Sequence, residues 1–486
     1  MKRSKKAKRI IACTLGAVMI CGMCACAGQS VENTAADAVA YLTKEDITVN
    51  ETISNDADGE HAIEVSGEEA SYSNTGVTKT GNADGDEADF YGENSAVFAT
   101  EKGTLTISDS LIETNGTHAN AVFSYGEGTT VNIANSVIET QGDCSGGIMT
   151  TGGGTMNAEN LTINTSGRSS AAIRSDRGGG IVNVSKGYYK TTGTGSPVVY
   201  STADITVSDA YMESTASQGI VVEGKNSGTL NNDTLIADNN TKNSDKSDYY
   251  QAVMIYQSMS GDAAEGTSSF TANGGSITNK NGDIFFVNNT ATEISLSGVE
   301  ITNEDAEGVF LRAEAAGWGN EGSNGGKVNM TASGQVINGN MLVDDISTLN
   351  LYLKDKSAFT GSINSEGQSG DVYIEIEDGS TWTLTADSYV SGLTVNEGSA
   401  IDLNGHKLYI DGKEYTAGSS SKGEAFDIST GSGSGSGMPD GNSDPGGNPP
   451  DGNKPDGEPP EKPDGNGSPG GNPPSGEPPE KPDSNN

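Results

Sequence analysis

The chain has 486 residues, with 28 Lys and Arg against 67 Asp and Glu, a formal net charge of −39, and 33% hydrophobic and 6% aromatic residues. Apolar usage sits far below the roughly 45–50% of globular chains, a count that includes Gly, and leaves too little to build a large compact α/β core. The charge repels phosphate backbones and anionic lipid, so no nucleic-acid partner is expected.

The chain begins with Lys2, Arg3, Lys5, Lys6, Lys8 and Arg9, then an apolar run from Ile10 to about Cys26, then Ala27, Gly28, Gln29 and Ser30. That order is a secretory signal peptide, placed at residues 1–25; the run is short and too rich in small residues for a permanent span. Met23, Cys24, Ala25 and Cys26 resemble the lipobox of bacterial lipoproteins, with Met23 where Leu is usual. The resemblance implies cleavage before Cys26, lipidation of its sulfur, and a lipid bilayer as partner on the extracellular face of a bacterial membrane. Plain cleavage near Ala27 and release is the alternative. Residues 26–45 are expected to be a linker. Four of the five cysteines fall in this segment, so Cys144 stands alone beyond it and no intramolecular disulfide framework can form.

An internal period of about 25 residues follows. Apolar pairs recur at Val97 and Phe98, Val122 and Phe123, Ile148 and Met149, Ile173, and Val198 and Val199. A second series holds Leu105/Ile107, Val131/Ile133, Met156/Ala158, Val182/Val184 and Ile205/Val207; a third holds Leu111/Ile112, Val137/Ile138, Leu161/Ile163, Tyr188/Tyr189 and Tyr211/Met212. Each run is three to five residues of alternating character bounded by Gly, Asn, Asp or Ser, which predicts three half-buried strands per repeat. Helices are nearly excluded. One such unit buries nothing alone, but units stacked in register share continuous apolar columns. The predicted fold class is therefore all-β: a single-stranded parallel β-helix over residues 46–415. Thr106, Asn132, Asn157, Asn183, Thr206 and Asn231 should form an outward polar ladder.

Beyond Gly219 the pattern continues through Ile220–Val222, Val253–Ile255, Ile284–Phe286, Val309–Leu311 and Met341–Val343, with insertions. There is room for about fifteen coils, a rod about 70 Å long at roughly 4.8 Å per strand. The three-strand coil with Asn-rich turns resembles right-handed parallel β-helix proteins, a group spanning pectate-lyase-like enzymes, phage spikes and surface adhesins. Handedness is implied by that resemblance alone. Segments 357–363, 379–384, 390–395 and 398–403 resemble the closing coils of pertactin-like autotransporter passengers. No membrane β-barrel follows them, so the resemblance implies a surface-exposed β-helix without autotransport.

Residues 416–438 are Gly/Ser-rich and read as a linker. Residues 439–486 repeat Pro, Gly, Asp and Glu with no apolar residue after Met438, and are expected to be a disordered acidic spacer. No sortase signal is present, which leaves Cys26 as the expected covalent anchor.

For chemistry, a polysaccharide-cleaving β-helix needs paired carboxylates, or a calcium cluster with a basic residue. Arg174, Asp176 and Arg177, close together on one turn, are the best candidates for such an enzyme. His61, His118 and His406 show no metal-site spacing, and no catalytic or metal-ligating residue is assigned. Calcium is the one cofactor that the acidic turns at 56–60 and 82–87 would suit. The insertions 257–269 and 313–327 should leave one corner of the rod two coils apart, carrying Asp262 and Trp318, with Tyr249 and Tyr250 on the preceding insertion and Arg312 at the strand. Exposed aromatics beside polar groups stack on and hydrogen-bond sugar rings. Tyr249, Tyr250, Asp262, Arg312 and Trp318 are accordingly the candidate ligand-binding residues. The expected function is a non-catalytic adhesin or glycan-binding module whose partner is a glycan on a host or neighbouring cell surface; the alternative is a polysaccharide lyase or glycoside hydrolase.

Overall fold

A computed structural model describes residues 41–377, 379–419 and 421–428; the signal segment, Cys26 and the acidic tail lie outside the described residues. The chain divides into two units, Met1–Gly433 and Ser434–Asn486, and the description concerns the first.

The first unit is a parallel β-helix. First strands form an eleven-stranded sheet from Ile63–Ser66 to Met341–Val343. Val97, Val122, Ile148, Ile173 and Val199 are direct partners in it. Second and third strands join a twenty-one-stranded sheet, because in two coils they run together as Gly154–Thr165 and Gly180–Thr191. Hydrogen bonds run from coil to coil, so each interior coil satisfies the edges of its neighbours.

The corner between second and third strands explains the Asn- and Asp-rich punctuation. Asp109, Asn135, Asn160, Lys186, Asp209 and Asn232 all take left-handed backbone, with φ between 49° and 60°. Asn and Asp tolerate that region better than other non-glycine residues. Their side chains also stack: Asn160 Nδ2 donates to Asn135 Oδ1 at 2.8 Å, and Asn232 Nδ2 to Asp209 Oδ1 at 2.7 Å.

Inside, Val77, Ile112, Ile138, Ile163, Tyr189, Met212, Leu235 and Ile277 form one column in register, each no more than 1% exposed. The outward ladder holds from Thr106 to Thr206, with Asn157 Nδ2 on Asn132 Oδ1 at 2.9 Å and Asn183 Nδ2 on Asn157 Oδ1 at 3.0 Å. It then passes to Thr229, not Asn231, which pairs with Ser208. The shorter coil shifts the register by two residues there.

Asp233 sits just past this corner, 3% exposed, accepting from Ala210 N at 2.7 Å and Asn231 N at 2.8 Å. Burial pushes its pKa up to about 7, outweighing those two amides. The unfolded carboxyl ionises near 3.9, so between about pH 4 and 7 the folded state holds the extra proton. Its contribution is therefore complete below about pH 4 and is lost as pH rises through about 7. Urea titrations should show wild type losing up to ~4 kcal/mol more between pH 4 and 8 than Asp233→Asn does. Equal losses would contradict the assignment.

The eleven-stranded sheet ends at Met341–Val343, and beyond it a bridge from Met341 to Ile363 and the parallel strands Ser388–Val390 and Leu408–Ile410 carry on the coiling. Three expectations need correction. One five-residue α-helix, Asp86–Phe90, does occur, in an insertion before Val97–Thr100. Residues 41–45 already lie on the rod: Tyr41 stacks on Tyr188 at 4.7 Å, and Lys44 Nζ reaches Glu113 at 2.7 Å and Glu139 at 2.6 Å. The ordered chain also passes Tyr415, since Asn350 exchanges two hydrogen bonds with the backbone of Phe426, at 2.8 and 3.0 Å.

Candidate functional site

Side chains alternate across a strand, so the first face also presents an outward column. In register it reads Phe98, Phe123, Met149, Arg174, Tyr200, Val221, Met254, Phe286, Arg312, Leu342. So apolar an outward face requires a cover, and the insertions supply it. The helix Asp86–Phe90 and its flanks lie over Phe98, Phe123 and Met149, where Tyr91 meets Tyr125 edge-on at 5.7 Å. Further along, Tyr249, Ala316 and Trp318 pack on Val221, Met254, Tyr256 and Phe286.

The second cover is incomplete and leaves a groove of about 130 Å³, lined by Tyr200, Tyr249, Tyr250, Tyr256 and Trp318 together with Gln218, Asn239, Asn243 and Gln251. Gln251 is 2% exposed and its Oε1 has no partner. An unpaired buried amide oxygen is costly, and a ligand donor would relieve it. Backbone contacts fix the insertions around the groove. Gly317 N donates to Lys246 O at 2.6 Å, joining the segment after Ala313 to the segment before Gln251. Gly195, at φ 65°, lies beneath Asn243; a Cβ there would stand 2.4 Å from the Asn243 amide carbon, so only Gly admits this approach.

An adjoining cavity of about 240 Å³ shares Pro197, Tyr200, Asn243 and Tyr256, and adds Arg174 and Asp176. Arg174 Nη2 donates to Asp176 Oδ2 at 2.9 Å. Burial holds the Asp176 carboxyl above the usual range, against the pull of Arg174. Behind them Glu223, 1% exposed, accepts from the Tyr200 hydroxyl and, at 2.9 Å, from the Tyr256 hydroxyl, while its Oε1 has no partner. Burial raises both phenols well above their ordinary value.

The five ligand-binding candidates divide. Tyr249, Tyr250 and Trp318 line the groove; Asp262 and Arg312 do not. Asp262 turns away to Arg177 Nε at 2.5 Å, and Arg177 also binds Asp86 at 3.0 Å and stacks on Phe90 at 3.6 Å. One guanidinium thus ties two insertions together. Arg312 is held by Asp283 at 2.7 Å and Glu314 at 3.2 Å and stacks on Tyr249 at 3.8 Å, whose hydroxyl reaches Glu314 at 2.9 Å. Tyr249 is mainly a strut. Trp318 meets Tyr256 edge-on at 5.2 Å and remains half-buried. The enzymatic trio is split likewise, Arg174 and Asp176 facing the cavity and Arg177 serving the loops. The carboxylates of the turn at 56–60 gather around Lys79, whose fully buried ammonium donates to Ala57 O at 2.6 Å.

Sequence reasoning missed Tyr200, Glu223, Gln251 and Tyr256. The available signal was alternation on the first strand, which puts Tyr200, Glu223 and Tyr256 on the side opposite the inward Val199, Val222 and Ile255; Gln251, in step with Val253, carried no such signal. Sequence reasoning also gave His118 no ligand context, whereas the register sets it beside Asp89 and Cys144. No known protein family, curated protein or solved structure matches the chain.

Proposed function

We propose that this is an exported bacterial surface protein that binds a neutral glycan in the groove between Tyr250 and Trp318 without cleaving it. The groove carries the reading: aromatic faces lie beside four amide side chains, one of them with a buried unpaired oxygen. Aromatic rings stack on the C–H faces of sugars, and amides pair with hydroxyls. The net charge of −39 disfavours uronic acids and sulfated chains. In this reading the lipid on Cys26 anchors the rod, the acidic tail is a solvated spacer, and the partner is the surface of a host or neighbouring cell. The likeness of the last coils to autotransporter passengers agrees with surface display.

Full-length protein on an array of neutral and anionic glycans should be retained by neutral chains, at micromolar to millimolar affinity. Retention by anionic chains alone, or by none, would overturn the proposal. A second reading, polysaccharide cleavage, rests on Arg174 and Asp176, which line the adjoining cavity, since a buried carboxyl of raised pKa, as Asp176 has, suits a general acid. New reducing ends or unsaturated ends during incubation would favour it and rule out the non-catalytic role.

A further inference from the structure

One cluster lies at the corner that precedes the first strands. His118, Cys144, Ser169 and Gly195 occupy equivalent corner positions in successive coils, with φ of 54°, 54°, 55° and 65°. Backbone bonds stack them: His118 N on Asp143 O at 2.9 Å, Cys144 N on Arg168 O at 2.8 Å, Ser169 N on Thr194 O at 3.1 Å. Adjacent coils therefore present His118 and Cys144 side by side. The helix Asp86–Phe90 then lays Asp89 across them, and one ligand atom from each of the three lies within 4.8 Å of the other two.

The contact between His118 and Asp89 is unusual. His118 is 6% exposed, and its Nδ1 stands 2.9 Å from Asp89 Oδ1, yet Nδ1 has no hydrogen-bond partner. The carboxylate oxygen is close to the nitrogen but out of line with its N–H direction. Two atoms bound to one cation at about 2.0–2.1 Å stand roughly 3 Å apart, so this spacing suits ligands that share an ion. A buried imidazole nitrogen that faces a carboxylate without hydrogen-bonding it, on a ring that also has a thiol within ligand reach, is the feature that carries the site.

We propose that Asp89, His118 and Cys144 bind a divalent cation of the zinc type. Sulfur, imidazole nitrogen and carboxylate oxygen together select zinc or cobalt over calcium and magnesium. The Cys144 thiol passes its proton to the buffer as its sulfur binds the ion. Three protein ligands leave one tetrahedral position for water or a second ligand. The site is separate from the glycan groove and stands or falls without it.

Cobalt(II) alone, titrated into metal-free full-length protein under reducing conditions, is the probe. The expected result is one equivalent bound through Cys144, with thiolate-to-cobalt charge-transfer absorption that disappears in Cys144→Ser and is displaced by zinc. The leader cysteines are common to both proteins, so the signal of the site is the absorption that wild type shows over Cys144→Ser, and equal absorption in the two would overturn the proposal. Zinc should raise the melting temperature of wild type but not of Cys144→Ser. Binding should weaken at least about tenfold in His118→Asn, where Asn tolerates the left-handed corner, and in Asp89→Asn on the helix surface. Should His118→Asn fail to fold, Asp89→Asn carries the test. Absence of stoichiometric binding, or equal affinity in wild type and folded variants, would refute the site.

Discussion

Trp382→Ala should cost about 3–5 kcal/mol and unfold the C-terminal coils ahead of the rest. Trp382 is fully buried on the strand Thr381–Thr383, stacks on Phe359 at 5.7 Å with a 14° tilt, and donates from Nε1 to Gly361 O at 3.0 Å. Truncation leaves a cavity and an unpaired carbonyl together. Solenoid coils contact mainly their neighbours, so the loss stays local before it spreads. The only other tryptophan, Trp318, then reports on the middle of the rod. In urea, circular dichroism of the variant should show an early step while Trp318 fluorescence keeps its wild-type midpoint. One shared transition moving together in both signals would contradict a coil-by-coil architecture.

The second large effect concerns the groove. Tyr250→Ala should weaken neutral-glycan binding at least tenfold, about 1.4 kcal/mol, with little change in melting temperature. Tyr250 lines the groove and is half-buried. Trp318→Ala should lower affinity and melting temperature together, because Trp318 also covers Tyr256 and the outward column. Tyr249→Ala should act chiefly on stability, by releasing Arg312 and Glu314. Calorimetric titration beside thermal melts separates these patterns. Equal affinities for wild type and Tyr250→Ala would place the ligand elsewhere.

Most of the rod was legible because its rules are local and repeat. Val122 and Ile148 occupy the same inward slot, and the left-handed corners at Asn135 and Asn160 favour Asn and Asp, so periodicity in sequence is periodicity in space. The register shift at Thr229 was not legible, because Gly228 fills the inward slot where neighbouring coils place Ile205 and Phe270, breaking the apolar signal. The site was legible in part. Tyr249, Tyr250 and Trp318 stood out as aromatics on insertions, but how an insertion folds back depends on contacts without a period. Asp262 finds Arg177 from 85 residues away, and Asp89 reaches His118 and Cys144 through a five-residue helix too short to leave a pattern. Glu223 and Gln251 look like ordinary strand polar residues until the cover over the first face is known.

The claim that the covered first face is where this protein meets its ligand is tested most directly by hydrogen exchange with and without a retained neutral oligosaccharide. Protection should rise in residues 239–251 and 314–325 and stay unchanged along the opposite ladder of Thr106, Asn132, Asn157 and Asn183. Protection on that ladder, with the groove segments unaffected, would contradict the account.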